Sequence, residues 1–114
     1  MATVIVKDQL SKEDFERAKE DYQSYIKITV DLKRKIIALG GEYHADAERL
    51  LLKGGSKQKD IWGGGVDLEE KRIETNAIIN LRPGENESTE ILDERVRKKF
   101  IRIVKRILKG YVKQ

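Results

Sequence analysis

Hydrophobic and polar residues alternate along several stretches of the chain, and a period of two predicts β-strands. Apolar side chains occupy every second position of residues 26–32, and a second apolar run follows at residues 36–39. A short β-branched run at residues 3–6 predicts a strand at the edge of a sheet. Residues 61–68 and 73–81 have the pattern of a further hairpin. The chain is therefore predicted to form five strands.

Three other segments have apolar positions three and four residues apart, a spacing that is typical of helices. The first covers residues 11–23, where Ser11 is placed to cap the helix N-terminus. The second covers residues 45–53 and is followed by two glycines. The third is about 20 residues long and starts near Leu92, with apolar residues on one side and basic residues on the other.

The predicted order of elements is β-α-β-β-α-β-β-α, which favours an α+β fold with helices packed on one face of an antiparallel sheet of about five strands. The 114 residues are interpreted as one domain, residues 1–114. No stretch approaches the roughly 18 apolar residues of a membrane span, so no membrane partner is expected. The absence of cysteine excludes thiolate metal sites and is consistent with a cytoplasmic location. Charged residues make up 39% of the chain, as is typical of proteins that work at high temperature.

Positive charge is concentrated at the end of the chain. Residues 95–114 contain nine Lys and Arg residues and no acid, whereas the other residues include 15 basic and 20 acidic side chains. Three interpretations stay open, namely a core helix with a solvated basic face, a nucleic-acid-binding helix and a helix on a membrane surface. No aromatic residue interleaves with the basic face, so base stacking is not predicted. The candidate nucleic-acid contacts are Lys98, Arg102, Lys105, Arg106 and Lys109.

The apolar side of the last helix covers roughly half of its circumference, which is wider than the ~100° stripe that contact with one core requires. Ile101, Leu108 and Val112 lie at the edge of this apolar side and are expected to be partly exposed in a monomer. The sequence therefore predicts a homodimer in which this edge contacts a second copy.

The rare residue types of the chain are concentrated in residues 40–65. Seven of the nine glycines, the only histidine and the only tryptophan lie there. Core packing requires none of the polar types in this segment, and glycines let a ligand approach the backbone. We therefore expect a binding site for a small anionic or nucleotide-like ligand at the end of the sheet. Its candidate residues are His44, Asp46, Ser56, Lys57, Gln58, Asp60 and Trp62.

The same segment also permits an enzymatic interpretation, as a small hydrolase or a metal-dependent enzyme that uses His44. His44 and Glu48 are four residues apart and would face the same way on a helix, but two ligands do not define a metal site. His44 could also act as a general base for Ser56, oriented by Asp46 or Asp60. No catalytic residue, metal or cofactor is predicted. The three glycines at residues 63–65 match no phosphate-binding loop and are interpreted as a bulge or a twisted edge of the second hairpin.

Two stretches of the chain resemble a family of small prokaryotic proteins classed as a domain of unknown function. The first includes Gly40-Gly41-Glu42, His44-Ala45-Asp46, the leucines at residues 50–52, Gly55-Ser56-Lys57-Gln58, Asp60 and Trp62-Gly63, and the second is Ile79-Asn80-Leu81-Arg82-Pro83. The resemblance covers roughly residues 22–109 and implies no activity. It implies that Asn80 and Arg82 belong with the candidate site. The leading hypothesis is a non-enzymatic ligand-binding or regulatory module around His44, Asp60 and Arg82.

Overall fold

A computed structural model describes residues 3–18 and 24–114, which form one five-stranded antiparallel sheet and three α-helices. The α+β class, the number of strands and the order of the elements are as predicted. The strands are β1 (Thr3–Val6), β2 (Tyr25–Asp31), β3 (Ile36–Gly40), β4 (Ile61–Asp67) and β5 (Arg72–Glu74), in the spatial order β1-β3-β2-β4-β5. The helices are α1 (Lys12–Ala18), α2 (His44–Lys53) and α3 (Glu94–Ile107).

The helices cover both faces of the sheet, which corrects the expectation that they share one face. Alternate residues of a strand point to opposite faces. In β3, Ile37 and Leu39 belong to the large core that includes residues of α1 and α3, whereas Ile36 and Ala38 pack with Ala47 of α2. Because α2 crosses over β2 and β3 on its own face, it brings its first residue above the glycines of β4.

The ends of several elements have identifiable causes. The backbone N–H of Asp14 donates to Ser11 Oγ at 3.1 Å, so the predicted cap of α1 is confirmed. The carboxylate of Asp31 accepts the N–H groups of Lys33 and Arg34, each at 2.9 Å, and this fixes the tight turn at residues 32–35 between β2 and β3. Residues 19–23, where α1 was expected to continue, lie outside the described residues.

The second hairpin and the last helix are shorter than predicted. The return strand expected over residues 73–81 ends at Glu74, and Ile78–Asn80 forms a 3₁₀ turn. Helix α3 ends at Ile107, and Gly110, with φ of +97°, turns the chain back over the core. Leu108 and Val112 are therefore buried and only Ile101 is partly exposed, so the predicted dimer edge on α3 is wrong. No helix of the described residues is long and apolar enough to cross a membrane.

Candidate functional site

His44 lies at the first position of α2, where its imidazole rests on the backbone of β4. Its Nε2 is 2.6 Å from the carbonyl oxygen of Gly64. A Cβ atom added to Gly63 would lie 2.9 Å from Cδ2 of the ring, so a glycine is needed at this position. Burial lowers the pKa of His44, and the positive charge of Lys27 lowers it further, although the bond to Gly64 opposes the shift. The imidazole is therefore held neutral near pH 7, donating from Nε2 to the strand.

Arg82 and Trp62 form the second part of the candidate site, at the start of β4. The guanidinium lies 3.9 Å from the centre of the Trp62 ring system. It donates to the carbonyl oxygens of Lys59, at 3.1 Å, and Ile61. Burial lowers the pKa of Arg82, and this shift is opposed by acidic side chains at residues 48, 60 and 85. Arg82 therefore already has an aromatic face, two carbonyls and nearby negative charge as partners.

Gln58 and Arg82 line one small open pocket of about 360 Å³ beside this contact. The negative charge of Asp60 opposes the lowering of the Arg82 pKa, and the Asp60 carbonyl accepts the N–H of Leu32 at 2.9 Å. The structure thus brings Gln58, Asp60, Trp62 and Arg82 together at one end of β4. Among the described residues, no hydrogen bond or ion pair joins His44 to Asp60 or to Arg82.

The remaining candidates of residues 40–65 lie apart from this group. Asp46 forms an exposed ion pair with Arg49 at 3.6 Å, one turn along α2. Ser56 Oγ accepts a hydrogen bond of 3.0 Å from Arg34, so the hydroxyl ties α2 to the turn at residues 32–35. Lys57 is exposed. Within the described part of the chain, no group of three or more His, Cys, Asp or Glu side chains is arranged to hold a metal ion.

The glycines at residues 63–65 lie in a strand with unbroken pairing to β2, which corrects their interpretation as a bulge or an edge. A Cβ on Gly64 would overlap the carbonyl oxygen of Glu74 and lie 2.8 Å from the Phe100 ring. A Cβ on Gly65 would overlap the ring of Tyr25. The glycines therefore let side chains from both faces pack directly on β4, and this packing explains them without a ligand.

Asn80 completes the hydrogen bonding of β4 where β5 has ended. Its side-chain oxygen accepts the N–H of Gly63 at 2.8 Å, and its amide nitrogen donates to the carbonyl of Gly63 at 2.9 Å. The same nitrogen donates to the carbonyl of Thr89 at 3.0 Å. Asn80 is fully buried, so its side chain takes the place of a paired strand at this edge.

Asn86 is a second buried asparagine with a comparable role, and the sequence did not identify it. Its amide nitrogen donates to the carbonyls of Asn80, Ser88 and Glu90 at distances of 2.8 to 3.0 Å. Its oxygen accepts the N–H of Leu92 at 3.0 Å. The surrounding sequence, Gly84 to Thr89, is uniformly polar, so only the folded structure distinguishes this buried side chain from its exposed neighbours.

All five basic candidates, four on α3 and Lys109 just after it, line a single open groove with a volume of about 620 Å³, together with Ile101 and Gln114. Lys98 pairs with Glu94 at 3.2 Å. Among the described residues, no ion pair involves the other four, which are Arg102, Lys105, Arg106 and Lys109. Arg106 donates to the carbonyl oxygen of Lys35 at 3.0 Å, which places the basic turn at residues 32–35 beside the groove.

A family model described as protein of unknown function (DUF5674) matches residues 4–107. The chain belongs to the DUF5674 family. No curated protein and no solved structure matches it significantly.

In this DUF5674 protein, the segment Asn80-Leu81-Arg82-Pro83 holds the edge of the sheet. Asn80 bonds to both backbone groups of Gly63, and Arg82 bonds to the carbonyls of Lys59 and Ile61. Unpaired backbone groups are costly when buried, and these two side chains bond to backbone groups of two residues of β4 and of Lys59 just before it. The contacts therefore give a structural reason for the segment that carried the family resemblance.

Proposed function

We propose that this DUF5674 protein is a non-enzymatic binding module whose anionic ligand is the sugar–phosphate backbone of a nucleic acid. The observation that carries the proposal is the groove on α3, where five Lys and Arg side chains converge and a single acidic side chain pairs with one of them. Like charges gathered on one surface repel each other, and an anionic chain relieves that repulsion while releasing its counterions.

The groove supports recognition of phosphates rather than bases. Its lining contains no Tyr, Trp, Phe or His among the described residues, so it offers no surface on which bases could stack. Phosphate contacts position a nucleic acid without reading its sequence. We therefore expect binding with little sequence preference and a strong dependence on salt.

The pocket beside Arg82 is less suited to a small anionic ligand than the groove. The charge of Arg82 is already opposed by Glu85, Glu48 and Asp60, and its guanidinium is occupied by two carbonyls and Trp62. A free anion there would be close to carboxylates as well as to the guanidinium. The proposed anionic ligand is therefore assigned to the α3 groove.

The use of His44 as a catalytic base stays a prediction without geometric support. Its Nε2 is hydrogen-bonded to the Gly64 carbonyl, and the hydroxyl of Ser56 is hydrogen-bonded to Arg34.

A cytoplasmic location forms part of the proposal, because nucleic acids are accessible in that compartment. A homodimer is a separate proposal, which does not depend on nucleic-acid binding and uses a surface other than the α3 edge.

The test is fluorescence anisotropy with labelled single-stranded RNA, single-stranded DNA and duplex DNA of mixed sequence. The variant Arg102→Gln/Lys105→Gln/Lys109→Gln removes three groove charges, and Lys12→Gln/Lys57→Gln/Lys59→Gln removes three exposed charges elsewhere. For about four phosphate contacts, the logarithm of the binding constant should fall by about three to four units per tenfold rise in salt.

The groove variant should lose at least about 30-fold in affinity at 0.1 M salt and lower the salt slope by about two to three units. The control variant should retain most of the affinity and the slope. Equal losses in the two triple variants would mean that net charge, and not the groove, is responsible. Absence of binding at 50 mM salt by the unmodified protein would reject the proposal.

A further inference from the structure

Within residues 3–18 and 24–114, strand β1 forms one outer edge of the sheet, and it carries no charged side chain that would protect this edge. Its sequence, Thr-Val-Ile-Val, contains no charge and no proline, and β3 is its partner on one side only. The side chain of Ile5 is 42% exposed. An unprotected, apolar edge of this kind is a template for pairing with another strand.

The opposite edge of the sheet is protected. Strand β5 has only three residues, and Arg72 lies within ion-pair distance of Asp67, Glu70 and Glu74. Charged side chains on an edge strand discourage pairing, and β5 has them whereas β1 does not. The contrast within one sheet singles out β1 as the edge available to a partner.

Helix α2 packs mainly over β2 and β3, and a groove of about 320 Å³ lies where it approaches Thr3 at the start of β1. Thr3 and Leu50 line the groove, with Glu42 beside the start of α2 and Lys53 at its last residue. The direction of the helix is from the Thr3 end of this edge towards the Val6 end, because Ser56 just beyond α2 bonds to Arg34 in the turn next to the Val6 end. The acidic lining residues, Glu42 and Asp46, therefore lie nearer the Thr3 end, and the basic ones, Arg49 and Lys53, lie nearer the Val6 end, with Asp46 and Arg49 paired to each other at 3.6 Å.

We infer that β1 pairs antiparallel with β1 of a second copy of the chain, about a two-fold axis perpendicular to the sheet. Antiparallel pairing sets the Thr3 end of each strand beside the Val6 end of the other. The acidic end of each groove, at Glu42, then lies next to the basic end of its partner's groove, at Lys53. The surface is self-complementary in charge and in backbone hydrogen bonding, as an isologous interface requires.

The pairing leaves the basic groove of α3 free, because α3 lies on the opposite face of the sheet from α2. Both α3 grooves of the dimer face the same way. The inference does not depend on nucleic-acid binding, so the two proposals fail or succeed separately.

Sedimentation velocity from 1 to 100 μM tests the pairing. The unmodified protein should be a dimer at the upper concentrations, and Ile5→Lys should raise the dimer dissociation constant by at least about 100-fold, since charges protect edges. Ile78→Lys is the matched control, because Ile78 is an exposed apolar residue (80%) away from β1, and it should leave the dimer intact. A monomeric unmodified protein at 100 μM, or a dimer that tolerates Ile5→Lys, would overturn the inference.

Two further measurements keep the test decisive if Ile5→Lys does not fold. Glu42→Lys should weaken the dimer roughly tenfold, and Glu42→Lys/Lys53→Glu should restore it, because the reversed charges again face each other across the axis. Hydrogen exchange of the unmodified protein should show β1 amides that become more protected as concentration rises. A dimer without this protection, or one insensitive to the charge reversal, would place the interface elsewhere.

Discussion

Replacing Asn80 by aspartate keeps the shape of a fully buried side chain but removes its two N–H donors. The carboxylate oxygens still accept the N–H of Gly63, as the amide oxygen does at 2.8 Å. The carbonyl of Gly63, at 2.9 Å from the amide nitrogen, loses this donor. The carbonyl of Thr89, at 3.0 Å, keeps the N–H of Ala77, and both carbonyls face a negative charge instead. The substitution therefore tests whether Asn80 holds the sheet edge or is free to bind a ligand.

The expected cost is large relative to the stability of a small domain. Each buried carbonyl that loses its partner costs about 1–3 kcal/mol, and an uncompensated buried charge adds to this. A total of about 3–5 kcal/mol is a large part of the roughly 5–15 kcal/mol that separates folded from unfolded states. The loss should be smaller at pH 4 than at pH 7, because protonation removes the buried charge and restores one donor.

Urea denaturation followed by circular dichroism at both pH values measures these effects. Asn76→Asp is the matched control, since Asn76 is exposed and its amide donates only to the hydroxyl of Thr89. This variant should change the free energy of unfolding by no more than about 1 kcal/mol. If Asn80→Asp were as stable as Asn76→Asp at pH 7, the hydrogen bonds to Gly63 would not stabilise the fold, and a ligand-binding role for Asn80 would regain support.

Two further predictions concern the glycine strand and the histidine above it. Gly64→Ala should lower the free energy of unfolding by at least about 2–3 kcal/mol, because the methyl group would overlap the Glu74 carbonyl and press on Phe100. The control Gly54→Ala, at φ of −83° with ordinary contacts, should be neutral or slightly stabilising in the same urea titration. The pKa of His44 is lowered by burial, so the unfolded chain takes up the proton first and stability should fall as pH drops below about 6.5. The difference in unfolding free energy between the unmodified protein and His44→Gln should therefore shrink from pH 7 to pH 5, and a constant difference would show that the imidazole does not titrate differently on folding.

Much of the architecture could be predicted from local patterns. The alternation in β2 and the spacing in α3 are properties of short segments, and each segment buries its apolar side wherever the core lies. The early end of the return strand β5, at Glu74 rather than near residue 81, could not be predicted in this way. Its apolar positions fit a strand, but the side chain of Asn80 supplies the hydrogen bonds to β4 that a strand would have made.

For the candidate site, too, the sequence predicted part of the arrangement and the tertiary structure determined the rest. The composition of residues 40–65 correctly pointed to an unusual segment, yet its polar residues separate in the structure. His44 packs on Gly64, Ser56 bonds to Arg34, and Arg82 stacks on Trp62. Polar residue types indicate that a partner is needed, but they do not say whether the partner is a ligand or the backbone of a neighbouring strand.

The amino-acid sequence by itself determined the element order, the capped start of α1 and the amphipathic, basic character of α3. These features depend on interactions between residues a few positions apart, so the amino-acid sequence is sufficient to predict them. Only the tertiary structure decided that α2 lies on the opposite face from α3, that three glycines sit inside a paired strand, and that the turn at residues 32–35 adjoins the basic groove. Those outcomes follow from contacts between different elements, up to 71 residues apart in the chain, where packing and the satisfaction of buried backbone groups select one arrangement from many that the local pattern allows.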